Sequence, residues 1–335
     1  MVANIKKTKV MKVCYIVSGI FHAVVMLVVF ICLSYYSSGL PNYKMERVDS
    51  VNVASVDDLI ELGETIHNDK LYLTSDISIS DNEFKIGSDE NPFSGVFDGR
   101  GRTVYLRYSD ADENTSLFGG ISSKAIIRNI NFVYENDIDV QGETFGGIAK
   151  INDGTIENCS VSFGSLKLNQ SGMFSPFVTI NRGEISHILI KGAVVGAAND
   201  ARTAQEEQAA KMEEEKTLFG YACVYNYGKV EGVIVYAEFS GFKSVAEENV
   251  LKGLNRNFGI SGIRVGDVQQ GTTAKCALIK NETTYTAGDS ENIAVYQNDS
   301  EVTVHEYIFI TLDFDNRNWR LVGNKLSLII QGEKK

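Results

Sequence analysis

His305 and Glu306 open the stretch HEYIF (305–309), the first half of the H-E-x-x-H arrangement. In that arrangement two histidines one helical turn apart hold zinc and the glutamate acts as base. The fifth residue is Phe309, so the second ligand is missing and no metalloprotease is expected. The remaining histidines, His22, His67 and His187, show no metal-ligand spacing. Nucleophile-elbow and phosphate-loop patterns are absent, and the glycines of GGISS and FGG read as turn residues. Glycan cleavage needs two converging carboxylates, or an Arg or Lys base beside carboxylate-held calcium. Asp110, Asp112 and Glu113 form one acidic run, and Asp137 and Asp139 another. Both read as solvated loops without partners at equivalent positions. Cys159, Cys223 and Cys276 are odd in number and make no C-x-x-C, so buried thiols are expected rather than a disulfide or a zinc site. No catalytic residue, metal or cofactor is therefore expected. A softer signal is aromatic: GYACVYNYGKVEGVIVYAEFSGF (220–242) carries Tyr221, Tyr225, Tyr227 and Tyr236. These four are the candidate surface for a glycan or surface-protein partner, with stacking inside the fold as the alternative.

The elements that would position such groups begin with an apolar segment. Val13 to Tyr36 contains no Asp, Glu, Lys or Arg and is longer than the ~20 apolar residues that span a bilayer core. Lys6, Lys7, Lys9 and Lys12 precede it, which places a cytoplasmic tail at 1–12, a transmembrane anchor at 13–36 and everything later outside. The alternative is a cleaved signal peptide, which would make the rest secreted. That reading is less favoured, because the segment is long and ends in bulky Tyr35 and Tyr36. His22 inside the segment is an intramembrane ionisable group with no partner in reach of the sequence, and Gly19-x-x-x-Ala23 fits a close helix contact. Residues 37–52 read as a linker. The chain carries a net charge of −11, and without the N-terminal lysines the remainder is more acidic still, which argues against a nucleic-acid partner. Thirty glycines against three prolines imply many tight turns and no Pro-rich stalk.

The rest of the chain repeats. The pattern apolar-x-x-apolar-x-apolar occurs at Ile127/Ile130/Phe132, Ile156/Cys159/Val161, Ile185/Ile188/Ile190 and Val230/Val233/Val235. A weaker copy follows at Thr273/Cys276/Leu278. Gly154, Gly183, Gly228 and Gly271 each stand two residues before a copy, and Asn152, Asn181 and Asn226 complete three N-x-G turns. Upstream of each copy is an aromatic lead-in: LFGG (117–120), FGG (145–147), MFSPF (173–177), LFGY (218–221) and FGI (258–260). The copies start 29, 29, 45 and 43 residues apart. Polar inserts at 200–216 and 243–257 account for the longer intervals. The first should be a helix projecting from the domain, with Glu207 four before Lys211. A common period of this length fits one coil of a parallel β-solenoid, in which stacked coils bury faces that no single coil could. The ladder core would then comprise Ile127, Ile130, Ile156, Cys159, Ile185, Ile188, Val230, Val233 and Cys276. Asn-x-Gly is read as the corner, with left-handed backbone cheap for Gly and tolerable for Asn. A β-sandwich of many short strands is the alternative fold, and it does not explain the fixed offset between corner and strand.

The same residues carry a resemblance. SVDDLIELGETIHNDKLYLTSDISIS (55–80), FKIGSDENPFSGVFDGRGRTVYL (84–106), LFGGISSKAIIRNINF (117–132), INDGTIENCSV and INRGEISHILI resemble the segments of the GLUG-motif family of bacterial surface proteins. LDFDNRNWRLVGNKLSLI (312–329) resembles its closing element. The chain is also similar to the GLUG-type non-catalytic region beside some immunoglobulin-A metalloproteases, without their catalytic domain. Arg100 and Arg102 depart from the family pattern and read as drift on the outer surface. The resemblance implies an all-β, right-handed parallel β-helix on the cell surface.

The expected organisation is a plasma-membrane protein with one span, a cytoplasmic N-terminus, and a β-solenoid over 53–335 outside. An N-terminal helix within 55–66, with Ser55 as N-cap and Val56, Leu59, Ile60 and Leu62 as its apolar side, would lid one end. Phe314, Trp319 and Leu321 would plug the other. The expected function is non-catalytic binding or structure, adhesin-like. A polysaccharide lyase or hydrolase on a β-helix, or a subunit of a larger envelope assembly, are the alternatives. Oligomeric state is not legible.

Overall fold

The computed structural model describes chiefly residues 50–62, 70–80, 85–108, 115–168, 171–196 and 217–242, with parts of 203–209, 258–329 and a few isolated positions. Contacts divide the chain into two units, Met1–Val48 and Asp49–Lys335. The apolar segment 13–36 lies outside the described residues apart from Met26, as do the linker up to residue 49, the 243–257 insert, His67 and His305. Among the described residues no helix is long and apolar enough to cross a membrane.

The second unit is predominantly β, built from parallel strands in curled sheets, a β-solenoid-like fold. Its largest sheet runs through Ser50–Val53, Lys70–Leu73, Val96–Asp98, Ile126–Arg128, Thr155–Leu168, Glu184–Gly196 and Lys229–Ser240 to Cys276–Lys280. A second sheet holds Phe118–Ile121, Ala149–Asn152, Val178–Asn181 and Leu218–Asn226, with Thr144–Gly146, Met173–Ser175 and Phe258–Ser261. The first strand starts at Ser50, inside the stretch read as linker.

Register confirms the ladder. Val51, Leu71, Phe97, Ile127, Ile156, Ile185, Val230 and Thr273 pair in one file from coil to coil. A second file runs Ile77, Val104, Phe132, Val161, Ile190, Val235, Leu278. Cys159 pairs with Ile188 and Ile188 with Val233, while Ser160 N donates to Ile130 O at 2.9 Å and so sets Ile130 beside Cys159. Every side chain of the expected ladder core is buried, including Cys276.

The aromatic lead-ins stack only in part. Phe145, Phe174, Phe219 and Phe258 share a register, but Phe118 pairs with Ala149 instead. LFGG and FGG look alike in sequence yet sit four residues out of step.

The corner works differently from the expectation. Gly154, Gly183 and Gly228 are not left-handed. They are glycine because adjacent coils approach too closely: a Cβ on Gly183 would fall against the Gly154 carbonyl oxygen, and one on Gly228 against that of Gly183. Within these four copies of the repeat the left-handed position falls instead on Asn129 (φ 56), Asn158 (φ 51), His187 (φ 54) and Gly232 (φ 64), each just before the second apolar position. That single turn to positive φ bends each long strand and explains why two residues, not one, separate the first two apolar positions.

The N-terminal helix covers Val56–Leu62 and packs on the first-coil strands through Leu59, with Val56 and Leu62 half-buried. Ser55 and Asp58 cap it reciprocally: Asp58 N donates to Ser55 Oγ at 3.4 Å, and Asp58 Oδ2 accepts from Ala54 N (2.6 Å) and Ser55 N (2.9 Å). Ile60 is exposed rather than part of the apolar side. In the insert, described positions 205, 206, 208 and 209 are helical and exposed, and Thr203 and Glu206 cap each other.

At the C-terminal side the parallel stack ends when Thr283–Ala287 adds antiparallel to Cys276–Lys280 and Val295–Tyr296 adds antiparallel to Thr283–Ala287. Phe314, Trp319 and Leu321 do not plug the last coil. With Ile308, Leu312, Leu326 and Leu328 they form a separate apolar cluster over Leu189 and Ile234, two outward-facing residues of the large sheet. This strap crosses three coils at the left-handed positions. Trp319 Nε1 donates to Asn158 Oδ1 (3.1 Å), the Phe314 ring meets His187 edge-on at 5.4 Å, and the Leu312 carbonyl faces Gly232.

Candidate functional site

Polar side chains at repeat positions turn inward or toward the next coil. Asn152, Asn181 and Asn226 are buried in a ladder: Asn152 Nδ2 donates to Asn181 Oδ1 (2.8 Å) and Asn181 Nδ2 to Asn226 Oδ1 (2.9 Å). Each carboxamide ties its own turn as well, since Asn152 Oδ1 accepts from Gly154 N at 3.1 Å and Asn226 Oδ1 from Gly228 N at 3.2 Å. Asp98, nearly buried in the FDGRG phrase, accepts from Arg100 N (3.0 Å), Asn129 Nδ2 (3.1 Å) and Arg128 Nε (2.9 Å). It is a turn-closing group. Arg100 stands in left-handed backbone (φ 52), half-buried, with its guanidinium 4.4 Å from the Tyr72 ring centre.

Outward charges pair from coil to coil. Lys229 reaches Glu184 (3.2 Å) and Glu231 (2.6 Å), and these bonds hold its ammonium above the ordinary lysine range. Arg182 lies 3.8 Å from Asp153, Lys150 2.9 Å from Asp89, and Arg107 pairs with Glu135. Asp137 Oδ1 accepts from Ser165 N at 2.8 Å. Asp139 is in the strand Ile138–Val140, level with Lys167 and Asp110, so the two acidic stretches read as loops are partly strand. Asp112 and Glu113 lie outside the described residues. Among the described residues no group of His, Cys, Asp and Glu gathers as metal ligands. Cys159 and Cys223 are buried thiols whose ionisation is pushed far up by desolvation.

The four candidate tyrosines separate. Tyr221 is 1% exposed, edge-on to Phe219 at 4.8 Å, and is core rather than surface, because its strand turns this side chain toward the interior. Tyr236 is half-buried against the strap, with Lys191 Nζ 6.0 Å from its ring centre. Tyr225 and Tyr227 remain on the outside. Their rings stack at 6.2 Å and 21°, Tyr227 is 37% exposed, and Tyr225 is raised in pKa by partial desolvation and by its neighbour. Beneath them Asn226 is locked into the ladder.

Sequence reasoning missed the strap. Its signal was the continuous apolar runs in ISHILIK and VEGVIVY, where the earlier copy reads NCSVS. A strand covered on one face alternates, whereas one covered on both does not. A comparison with models of protein families, with curated proteins and with solved structures finds no match.

Proposed function

We propose that this chain is a non-catalytic, membrane-anchored protein of the bacterial cell envelope. Its solenoid, a right-handed parallel β-helix akin to the GLUG-motif surface proteins, stands outside the membrane as an adhesin-like binding or structural rod. The observation that carries the reading is the use made of the repeat's polar side chains. Asn152, Asn181, Asn226 and Asp98 bond from coil to coil instead of converging on a cleft, which builds stiffness along the axis. The apolar segment 13–36 behind four lysines supplies the anchor and its orientation.

Thiol labelling in intact cells tests the topology, with a bulky membrane-impermeant maleimide and the exposed position Ser123. Ser123→Cys is expected to label without permeabilisation and Lys7→Cys only after it. The reverse pattern overturns the proposal. So does metal-dependent release of reducing ends when the protein is incubated with acidic polysaccharides.

A further inference from the structure

Two rows of side chains run side by side along the axis where the second sheet meets the N-x-G corner. Ile151, Ile180 and Tyr225 are in register on the outer face, each half-buried. Asp153, Arg182 and Tyr227 are the middle residues of three successive N-x-G turns, all at least partly exposed. The first row gives an apolar track that ends in an aromatic ring. The second gives an anion, a cation and a second ring stacked on the first.

We infer that this strip binds an extended, neutral, β-linked polysaccharide lying along the solenoid axis, an inference that rests on the surface-binding reading above. Three features select that ligand. A pyranose ring presents a face of C–H groups that packs on tyrosine and isoleucine, and its hydroxyls both donate and accept, which suits Arg182 and Asp153 together. Coils repeat at ~4.8 Å, close to the rise of one residue in an extended β-linked sugar chain, so one ring meets one coil. The local cations are all spent on carboxylates, Arg182 on Asp153 and Lys229 on both Glu184 and Glu231, which leaves no positive excess beside the strip on a chain of net charge −11. A polyanion would be repelled, while a neutral chain is not. The backbone under both rows is held by the asparagine ladder, so little ordering is lost on binding.

Calorimetric titration of the full chain in nanodiscs tests this, with cellohexaose, cellobiose and polygalacturonate as probes. Cellohexaose is expected to bind, cellobiose at least tenfold more weakly, and polygalacturonate not at all. Tyr227→Ala and Tyr225→Ala should each weaken cellohexaose at least tenfold with an unchanged far-UV spectrum, and Arg182→Ala severalfold. Absence of cellohexaose binding, tighter binding of polygalacturonate, or undiminished binding by Tyr227→Ala would overturn the inference. Correct outside labelling at Ser123→Cys with no glycan binding sinks this inference alone, whereas the reversed topology sinks the envelope reading whatever the titration gives.

Discussion

Replacing Asn181 by alanine removes the middle rung of the buried carboxamide ladder. Its Oδ1 accepts from Asn152 at 2.8 Å, and its Nδ2 faces Asn226 Oδ1 (2.9 Å), Lys229 O (3.2 Å) and Gly183 O (3.3 Å). After substitution, Asn152 Nδ2 keeps only a long contact to Glu184 O at 3.4 Å, and Asn226 Oδ1 keeps Gly228 N at 3.2 Å. Two buried groups are thus partly stranded, each at about 1–3 kcal/mol, which gives ~3 kcal/mol in total. With a urea slope at the upper end of the ~1–3 kcal/mol/M range, the unfolding midpoint should fall by roughly 1 M. Trp319, the only tryptophan, packs one coil away through Asn158 and reports by fluorescence. Asn181→Asp should be worse than alanine, because it sets a carboxylate against Asn226 Oδ1 and two carbonyl oxygens. Ser123→Ala, at an exposed position, is the control. A midpoint within roughly 0.3 M of wild type for Asn181→Ala at unchanged slope would refute the claim that the ladder binds the coils.

Trp319→Ala should open the strap at a cost of about 3–5 kcal/mol to its own cluster. Limited proteolysis is then expected to remove the C-terminal segment, while far-UV circular dichroism of the coils persists. Two glycines should differ sharply: Gly183→Ala, blocked by the Gly154 carbonyl, is expected not to yield soluble folded protein, whereas Gly232→Ala, which meets left-handed strain and a 3.1 Å approach to the His187 ring edge that a small ring shift relieves, loses about 1–2 kcal/mol by urea melts. Asp58 is held below the usual carboxylate range by the Ala54 and Ser55 amides. Its capping contribution is therefore full above the unfolded-state value near 4 and is lost as pH falls through the lower folded value. Asp58→Asn should abolish that acid-side component of the pH-stability curve.

The repeat was legible because a stacked coil imposes one rule on every level. Whatever side chain follows Ile127 in the file must be buried, and Ile156, Ile185 and Val230 recur with it. The left-handed bend was legible in principle too: Asn129, Asn158, His187 and Gly232 are types that tolerate positive φ, placed before the second apolar residue. The turn glycines drew that reading to the wrong place, since a glycine required by close approach and one required by φ look the same in sequence. Tyr221 misled for a similar reason. Phe219, Tyr221 and Ala222 are all buried, so the strand leading into the corner does not alternate cleanly between faces. Of the candidate surface, only Tyr225 and Tyr227 are placed where a ligand can reach both.

The strap sets the limit on how far local pattern can speak for a solenoid. Leu189 and Ile234 occupy outward positions that the preceding coil fills with Ser160, whose hydroxyl donates to Asn131 at 2.7 Å. Within the repeat the two apolar residues break the rule. Only a segment more than 70 residues further on, around Phe314 and Trp319, supplies their partner. The same left-handed residues that bend the strands give the strap its footholds, Asn158 through its carboxamide and His187 through its ring. A residue in that backbone state turns its side chain out of the ladder, where a later segment can grip it. One face of the coils is thereby committed to the chain's own C-terminal segment. The track of Ile151, Ile180 and Tyr225 on the other sheet is where a ligand would meet the repeat itself.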